Sequence, residues 1–171
     1  MQDTGPRHAA LTPRGHRHSF ILQVVQPGLA GLMDGSVSTL APLFATAYAT
    51  HSSHTTMVIG MAAAVGAAIS MAFAEGLSDD GALTGRGSPL VRGLIIGLMT
   101  FLGGIGHSLP FLIRNLHAAL LLAYLVVGVE LIAIALIRNR YFGTKMLLSV
   151  VQVIVGGGLV FVAGVLIGTG G

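Results

Sequence analysis

Long apolar runs, separated by short polar segments, occupy the chain from about residue 20 to its end. The apolar residues in each run are continuous rather than alternating, which favours membrane-spanning α-helices over the strands of a β-barrel. A helix needs about 20 mostly apolar residues to cross a bilayer. Five runs meet this requirement: 21–48, 54–77, 90–113, 116–137 and 144–167. Their short connections predict antiparallel neighbours in one bundle.

Composition agrees with this pattern. Hydrophobic residues make up 53% of the 171 residues and charged residues 9%, whereas a soluble domain carries about 25% charged residues. The sequence therefore predicts an all-α integral membrane protein with five transmembrane helices. We expect a basic tail at 1–19, the membrane domain at 20–168 and a short tail at 169–171. The absence of cysteine excludes disulfides and thiolate metal sites.

The basic residues predict how the bundle is oriented. Eight of the nine Lys and Arg fall on one side of a five-span bundle: Arg7, Arg14, Arg17, Arg86, Arg92, Arg138, Arg140 and Lys145. Only Arg114 falls on the other side, so the positive-inside rule places the N-terminus in the cytoplasm and the C-terminus outside. No dense basic patch indicates nucleic-acid binding. A cleaved signal peptide is a competing interpretation, because 47–49 resembles a cleavage motif, but the first run is too long for one.

The first run contains an aspartate, Asp34, in the stretch GLMDGSVSTLAP. An ionised carboxylate at the centre of a membrane helix costs about 2.5–3.5 kcal/mol on insertion scales, which makes it a functional candidate. Helical spacing places Gly31, Asp34 and Ser38 on one face, and Gly31 with Gly35 forms a GxxxG pair suited to close helix contact. Pro42 is expected to bend the helix and expose carbonyl oxygens that can bind a cation. The alternative is a protonated Asp34 hydrogen-bonded to a neighbouring helix.

The second run places Met61, Ala64, Ala68, Met71 and Glu75 on one helical face. The carboxylate of Glu75 and the thioether of Met71 are one turn apart. That pair suits a transition metal, whereas a carboxylate alone also suits Mg²⁺ and Ca²⁺. The alternative is that the methionine only packs against a neighbouring helix.

Further polar residues leave several interpretations open. His107 in the third run can ligate a metal, relay a proton or hydrogen-bond a carbonyl on another helix. Glu130 in the fourth run can pair with His107 or Asp34, or accept a proton. Asp79 and Asp80, in the connection after the second run, can attract cations to a cytoplasmic entrance or belong to a solvated loop.

The stretches LMDGSVSTLAP and AAISMAFAEGLS together resemble the vacuolar iron transporter family. The family's Asp-Gly motif with following Ser/Thr corresponds to 34–39 here, and its Ser-Met-Ala-x-x-Glu motif corresponds to 70–75. The stretches GGIGHSLPFLI and GGGLVFVAGVLIG are more similar to the transporter domain of membrane-bound ferritin, a bacterial iron exporter. The resemblance covers essentially the whole membrane region.

The resemblance implies a homodimer with the ion path at the subunit interface. It also implies export of Fe²⁺, with Mn²⁺ as a second candidate, from the cytoplasm by proton antiport in a bacterial inner membrane. We expect no catalytic residues and no bound cofactor beyond the transported ion. The expected sites are metal ligands at Asp34, Met71 and Glu75, a path or proton relay at Ser38, His107 and Glu130, and a cytoplasmic entrance at Asp79 and Asp80.

Two departures from the family affect where the metal comes from. Plant and fungal-type members carry a Glu-rich insert between the second and third spans, where this chain has only 78–89. Membrane-bound ferritins carry an N-terminal ferritin-like domain, where this chain has about 20 residues before the first run. We therefore expect the protein to take metal directly from the cytosol or from a soluble ferritin-like donor.

Two other functions are considered beside transport. One is a membrane anchoring or assembly subunit for a soluble iron-handling partner, with the glycines and acids serving only helix packing. The other is an intramembrane hydrolase using Ser36, Ser108 or His107. It is the weakest, because adjacent His and Ser on a helix point about 100° apart and do not form a nucleophile–base pair.

Overall fold

The computed structural model describes residues 18–78, 80–81 and 84–170, and these residues form helices and turns with no strand. A π-helical turn, Ile21–Val25, leads into α1, and a 3₁₀ turn, Leu109–Leu112, follows α4. The helices are α1 (Gln26–Ser38), α2 (Leu40–Thr50), α3 (Ser53–Gly76), α4 (Pro89–Gly106), α5 (Leu116–Phe142) and α6 (Met146–Thr169). By length and composition, α3 to α6 can each cross a membrane. The protein is thus all-helical in its described part and membrane-embedded.

Pro42 and Pro110 each lie four residues after the last residue of a helix. A proline has no N–H, and its ring clashes with the carbonyl four residues earlier. The residue four before Pro42 is Ser38, where α1 ends, and the residue four before Pro110 is Gly106, where α4 ends. The first run is therefore two helices of 13 and 11 residues, and α4 stops short of the predicted boundary at residue 113.

Helix α4 lies between α1 and α3. On the α1 side, Gly31 packs on the backbone of Ile96 and Gly35 packs on the backbone of Thr100, so close that neither glycine has room for a Cβ. The close helix contact predicted from the GxxxG pair is confirmed, and the neighbouring helix belongs to the same chain. Small residues are needed here because only they let two membrane helices approach at backbone distance.

The contact of α4 with α3 is also made by small residues. Gly97 lies against Ala68 and Ala72 of α3, and Gly104 lies against Ala64. These alanines lie on or beside the face of α3 that helical spacing predicted. Since α4 is covered on two sides, it is the most enclosed of the four long apolar helices.

The second half of the first run packs elsewhere. Helix α2 lies along α6, where Gly164 and Gly168 meet the backbone of Ala41 and Ala45. Beside this contact, Phe44 is part of an aromatic cluster with Tyr124 of α5 and Phe161 of α6, with ring centroids 4.9–5.8 Å apart. The break at Thr39 thus separates a helix that packs on α4 from one that packs on α6.

Candidate functional site

Asp34 lines an open cleft of about 700 Å³ between α1, α5 and α6. Its side chain is half-buried, and Ser38 one turn later is exposed in the same cleft. The predicted shared face of these two residues is confirmed. Gly31 lies outside the cleft because it packs on Ile96. The remaining lining residues are Ala30, Met33, Val37, Ile134, Arg138, Gln152, Val153, Gly156 and Gly157.

The Asp34 carboxylate makes no hydrogen bond or ion pair with any residue in the described ranges. The one cation among the lining residues, Arg138, instead donates from Nη2 to Gln152 Oε1 at 2.9 Å. The Ser38 carbonyl lacks its usual helical donor, because the residue four positions later is Pro42. The cleft therefore offers a carboxylate and a hydroxyl, which are oxygen ligands of the kind that hard divalent cations take.

Glu75 is in a different environment from Asp34. Its Oε1 accepts one hydrogen bond from Arg86 Nη2 and one from Arg92 Nε, each at 2.7 Å. Arg92 is fully buried and also donates from Nη1 to the Gly87 carbonyl at 2.9 Å. This double ion pair fastens the loop between α3 and α4 to the end of α3. Neither arginine was predicted from the sequence as a partner of Glu75. An arginine in the first turn of an apolar helix, such as Arg92, nevertheless indicates that an acidic partner lies nearby.

The structure does not bring Asp34, Met71 and Glu75 together in one chain. Neither Met71 nor Glu75 lines the Asp34 cleft. The reason is that α4 lies between α1 and α3, while Asp34 faces α5 and α6. In the loop, Asp80 is exposed, and Asp79 lies outside the described residues.

His107 and Glu130 form a buried pair. His107 Nδ1 lies 3.1 Å from Glu130 Oε2, and Nε2 of the same ring lies 2.7 Å from Thr39 Oγ1. The sequence left both His107 and Asp34 open as partners of Glu130, and in the structure the partner is His107. Ser108 donates to the Gly104 carbonyl at 2.9 Å, so the His107 ring and this hydroxyl have different partners.

Neither a cluster of metal ligands among the described residues nor a match to another protein assigns a role to these sites. Across the described ranges, no group of three or more His, Cys, Asp or Glu residues is placed to hold a metal ion. Comparisons with protein-family models, with curated proteins and with solved structures found no match. The assignment of function therefore depends on the chemistry of the side chains themselves.

Proposed function

We propose that the protein is a divalent-metal transporter that exports Fe²⁺, or Mn²⁺, from the cytoplasm in exchange for protons. The single observation that supports this most directly is the Asp34 carboxylate, which opens onto a cleft beside the two membrane-length helices α5 and α6 and has no partner among the described residues. An intramembrane carboxylate without a partner is costly unless a cation or a proton neutralises it. A transported ion would do so transiently, since weak coordination lets the ion leave again.

A second copy of the chain would complete the ligand set. One chain supplies one carboxylate to the cleft, whereas Mg²⁺-like and Mn²⁺-like ions take about six oxygen ligands. In a two-fold dimer each ligand occurs twice, so two Asp34 carboxylates and two Ser38 oxygens would face one path. Met71 and Glu75, beyond α4, would then form a separate binding point nearer the cytoplasmic end. The proposal includes a fifth span built from α1 and α2, a cytoplasmic N-terminus and a bacterial inner membrane.

Flux measurements in liposomes test the transport proposal. Asp34→Asn removes the charge with little change in shape, and we expect Fe²⁺ and Mn²⁺ flux to fall to the level of protein-free liposomes. Asp34→Glu keeps the charge and should retain part of the flux. Wild-type flux through Asp34→Asn would refute the path. No flux in the wild type, together with stable co-purification of a soluble iron-binding protein, would favour the anchoring subunit instead.

The arginines on Glu75 lead to a second prediction. If Glu75 also binds the incoming metal, Arg86 competes with the ion for Oε1. Replacing Arg86, whose side chain is 23% exposed, with Gln should lower the Mn²⁺ concentration that gives half-maximal flux. Arg140→Gln is the matched control, because it removes an exposed positive charge at the end of α5. Equal shifts in both variants would indicate a general charge effect, and no shift would show that Arg86 does not compete with the ion.

A further inference from the structure

Three polar side chains meet where the α1–α2 break, the end of α4 and the middle of α5 come together. The His107 ring is fully buried, and each of its nitrogens faces another polar atom. The Thr39 hydroxyl that faces Nε2 also lies 2.7 Å from the Gly35 carbonyl. Unpaired polar groups inside a membrane cost several kcal/mol, so the positions of the protons follow from which of these atoms can donate.

One arrangement of protons satisfies every contact of this chain, the Gly35 carbonyl included, and it contains one extra proton. The Gly35 carbonyl can only accept, so the single hydroxyl proton of Thr39 is directed to it. In this arrangement the Thr39 oxygen accepts from His107 Nε2, which carries a hydrogen. On the other side of the ring, Nδ1 and Glu130 Oε2 are 3.1 Å apart, and this is a hydrogen bond only if one more proton lies between them. Without it, two lone pairs would face each other.

We propose that His107 and Glu130 form a proton-binding site that holds one shared proton. This proton is the one that the protein exchanges for metal, a step that rests on the transport function proposed above. When the proton leaves, the neutral ring and the carboxylate repel, and the contact between Nδ1 and Oε2 opens. The route out passes through Glu130, whose side chain is 13% exposed, because the ring of His107 is 0% exposed.

The site is coupled to the metal cleft through Thr39. Because Nε2 of His107 contacts Thr39, a shift of the ring acts directly on the residue between α1 and α2. Asp34 lies five residues before Thr39, little more than one helical turn away. Proton release therefore acts on the same segment that presents the carboxylate to the cleft.

No other charged group in the described part of the chain shares this site. On α5, the residues one turn from Glu130 are apolar: Val126, Val127, Ala133 and Ile134. On α4, the positions one turn before His107 are glycines. The remaining titratable groups on the packed helices bond or face elsewhere. Asp34 faces its cleft, Glu75 bonds Arg86 and Arg92, Tyr124 bonds Tyr48, and His54 and His117 are exposed.

Infrared difference spectra of the protein in lipid, recorded as the pH is stepped, test the proton site without any transport. In the wild type we expect a carboxyl band and an imidazole band to change together in one transition. Both changes should be lost in Glu130→Gln, whereas Asp34→Asn should keep them. A coupled transition that persists unchanged in Glu130→Gln would overturn the proposal, as would its absence from the wild type.

A glycine substitution tests the pair while keeping both titrating groups. Gly106 lies against Glu130 Oε1, so Gly106→Ala would push the carboxylate away from the ring. We expect the single transition to split into two separate ones. Gly128→Ala is the matched control on α5, because a Cβ there would meet no atom within 4 Å. Unsplit titration in a folded Gly106→Ala protein would contradict the shared proton.

A liposome experiment separates the proton site from the transport function. With a metal gradient imposed and a pH-sensitive dye inside the vesicles, Glu130→Gln should lose the proton counter-flux that accompanies metal movement. A wild-type ratio of protons to metal in this variant would overturn the coupling step. Absence of metal flux in the wild type would refute the proposed function, while the infrared result would still decide the proton site.

Discussion

Arg92→Ala is expected to destabilise the protein by about 3–5 kcal/mol, the usual cost of removing one partner of a buried ion pair. The guanidinium is fully buried and donates to the Glu75 carboxylate and to the Gly87 carbonyl. Its removal leaves the carboxylate with one fewer donor and leaves a void at the start of α4. Unfolding of the purified protein in mixed micelles, followed by circular dichroism, would measure the loss.

A double variant tests whether charge or volume causes this effect. Arg92→Met with Glu75→Gln removes both charges and keeps most of the side-chain volume. Replacing a buried ion pair with well-packed neutral groups is often close to neutral, so the double variant should lose much less stability than Arg92→Ala. If Arg92→Ala unfolds like the wild type, the ion pair does not hold the loop in place.

Gly35→Ala is the second substitution with a large expected effect. A Cβ at this position would overlap the Thr100 carbonyl of α4. The obstacle is backbone, so no rotamer change relieves it, and the two helices must move apart. Overpacking of this kind costs about 1–3 kcal/mol. We expect a lower midpoint of thermal unfolding in detergent, and Gly31→Ala should act in the same direction because it meets the backbone of Ile96.

Gly66→Ala is the control for that substitution. Gly66 lies on α3, and a Cβ there would meet no atom within 4 Å. Because alanine is the better helix former by about 1 kcal/mol, this variant should be as stable as the wild type or more stable. A midpoint for Gly35→Ala that matches that of Gly66→Ala would mean that α1 and α4 do not pack at backbone distance.

Hydropathy located the elements well where nothing interrupts the backbone. The run predicted at 54–77 is α3 (Ser53–Gly76), and the run at 144–167 is α6 (Met146–Thr169). Two discrepancies follow from proline, whereas a third does not: α5 continues to Phe142, five residues beyond the predicted end at residue 137. The bend was expected at Pro42, and the third helix was expected to continue beyond Pro110, whereas the steric effect of each ring falls on the preceding turn.

The candidate sites were harder to predict than the helices. Helical spacing identifies which residues share a face, and it correctly grouped Asp34 with Ser38. It does not identify which helix that face meets, so the separation of Asp34 from Met71 by α4 was not foreseeable. Nor was the pairing of Glu75 with Arg86, which depends on how the loop folds back over the end of α3.

The break at Thr39 has a mechanical consequence. Helix α1 packs on α4, which in turn carries α3, while α2 packs on α6 beside α5. The two halves of the first run therefore pack on different helices, α1 on α4 and α2 on both α6 and α3. The cleft that holds Asp34 lies between α1 and the helices α5 and α6. The backbone angles of Thr39 set the direction of α1 relative to α2, and they therefore help to set where α1 holds the Asp34 carboxylate in this cleft.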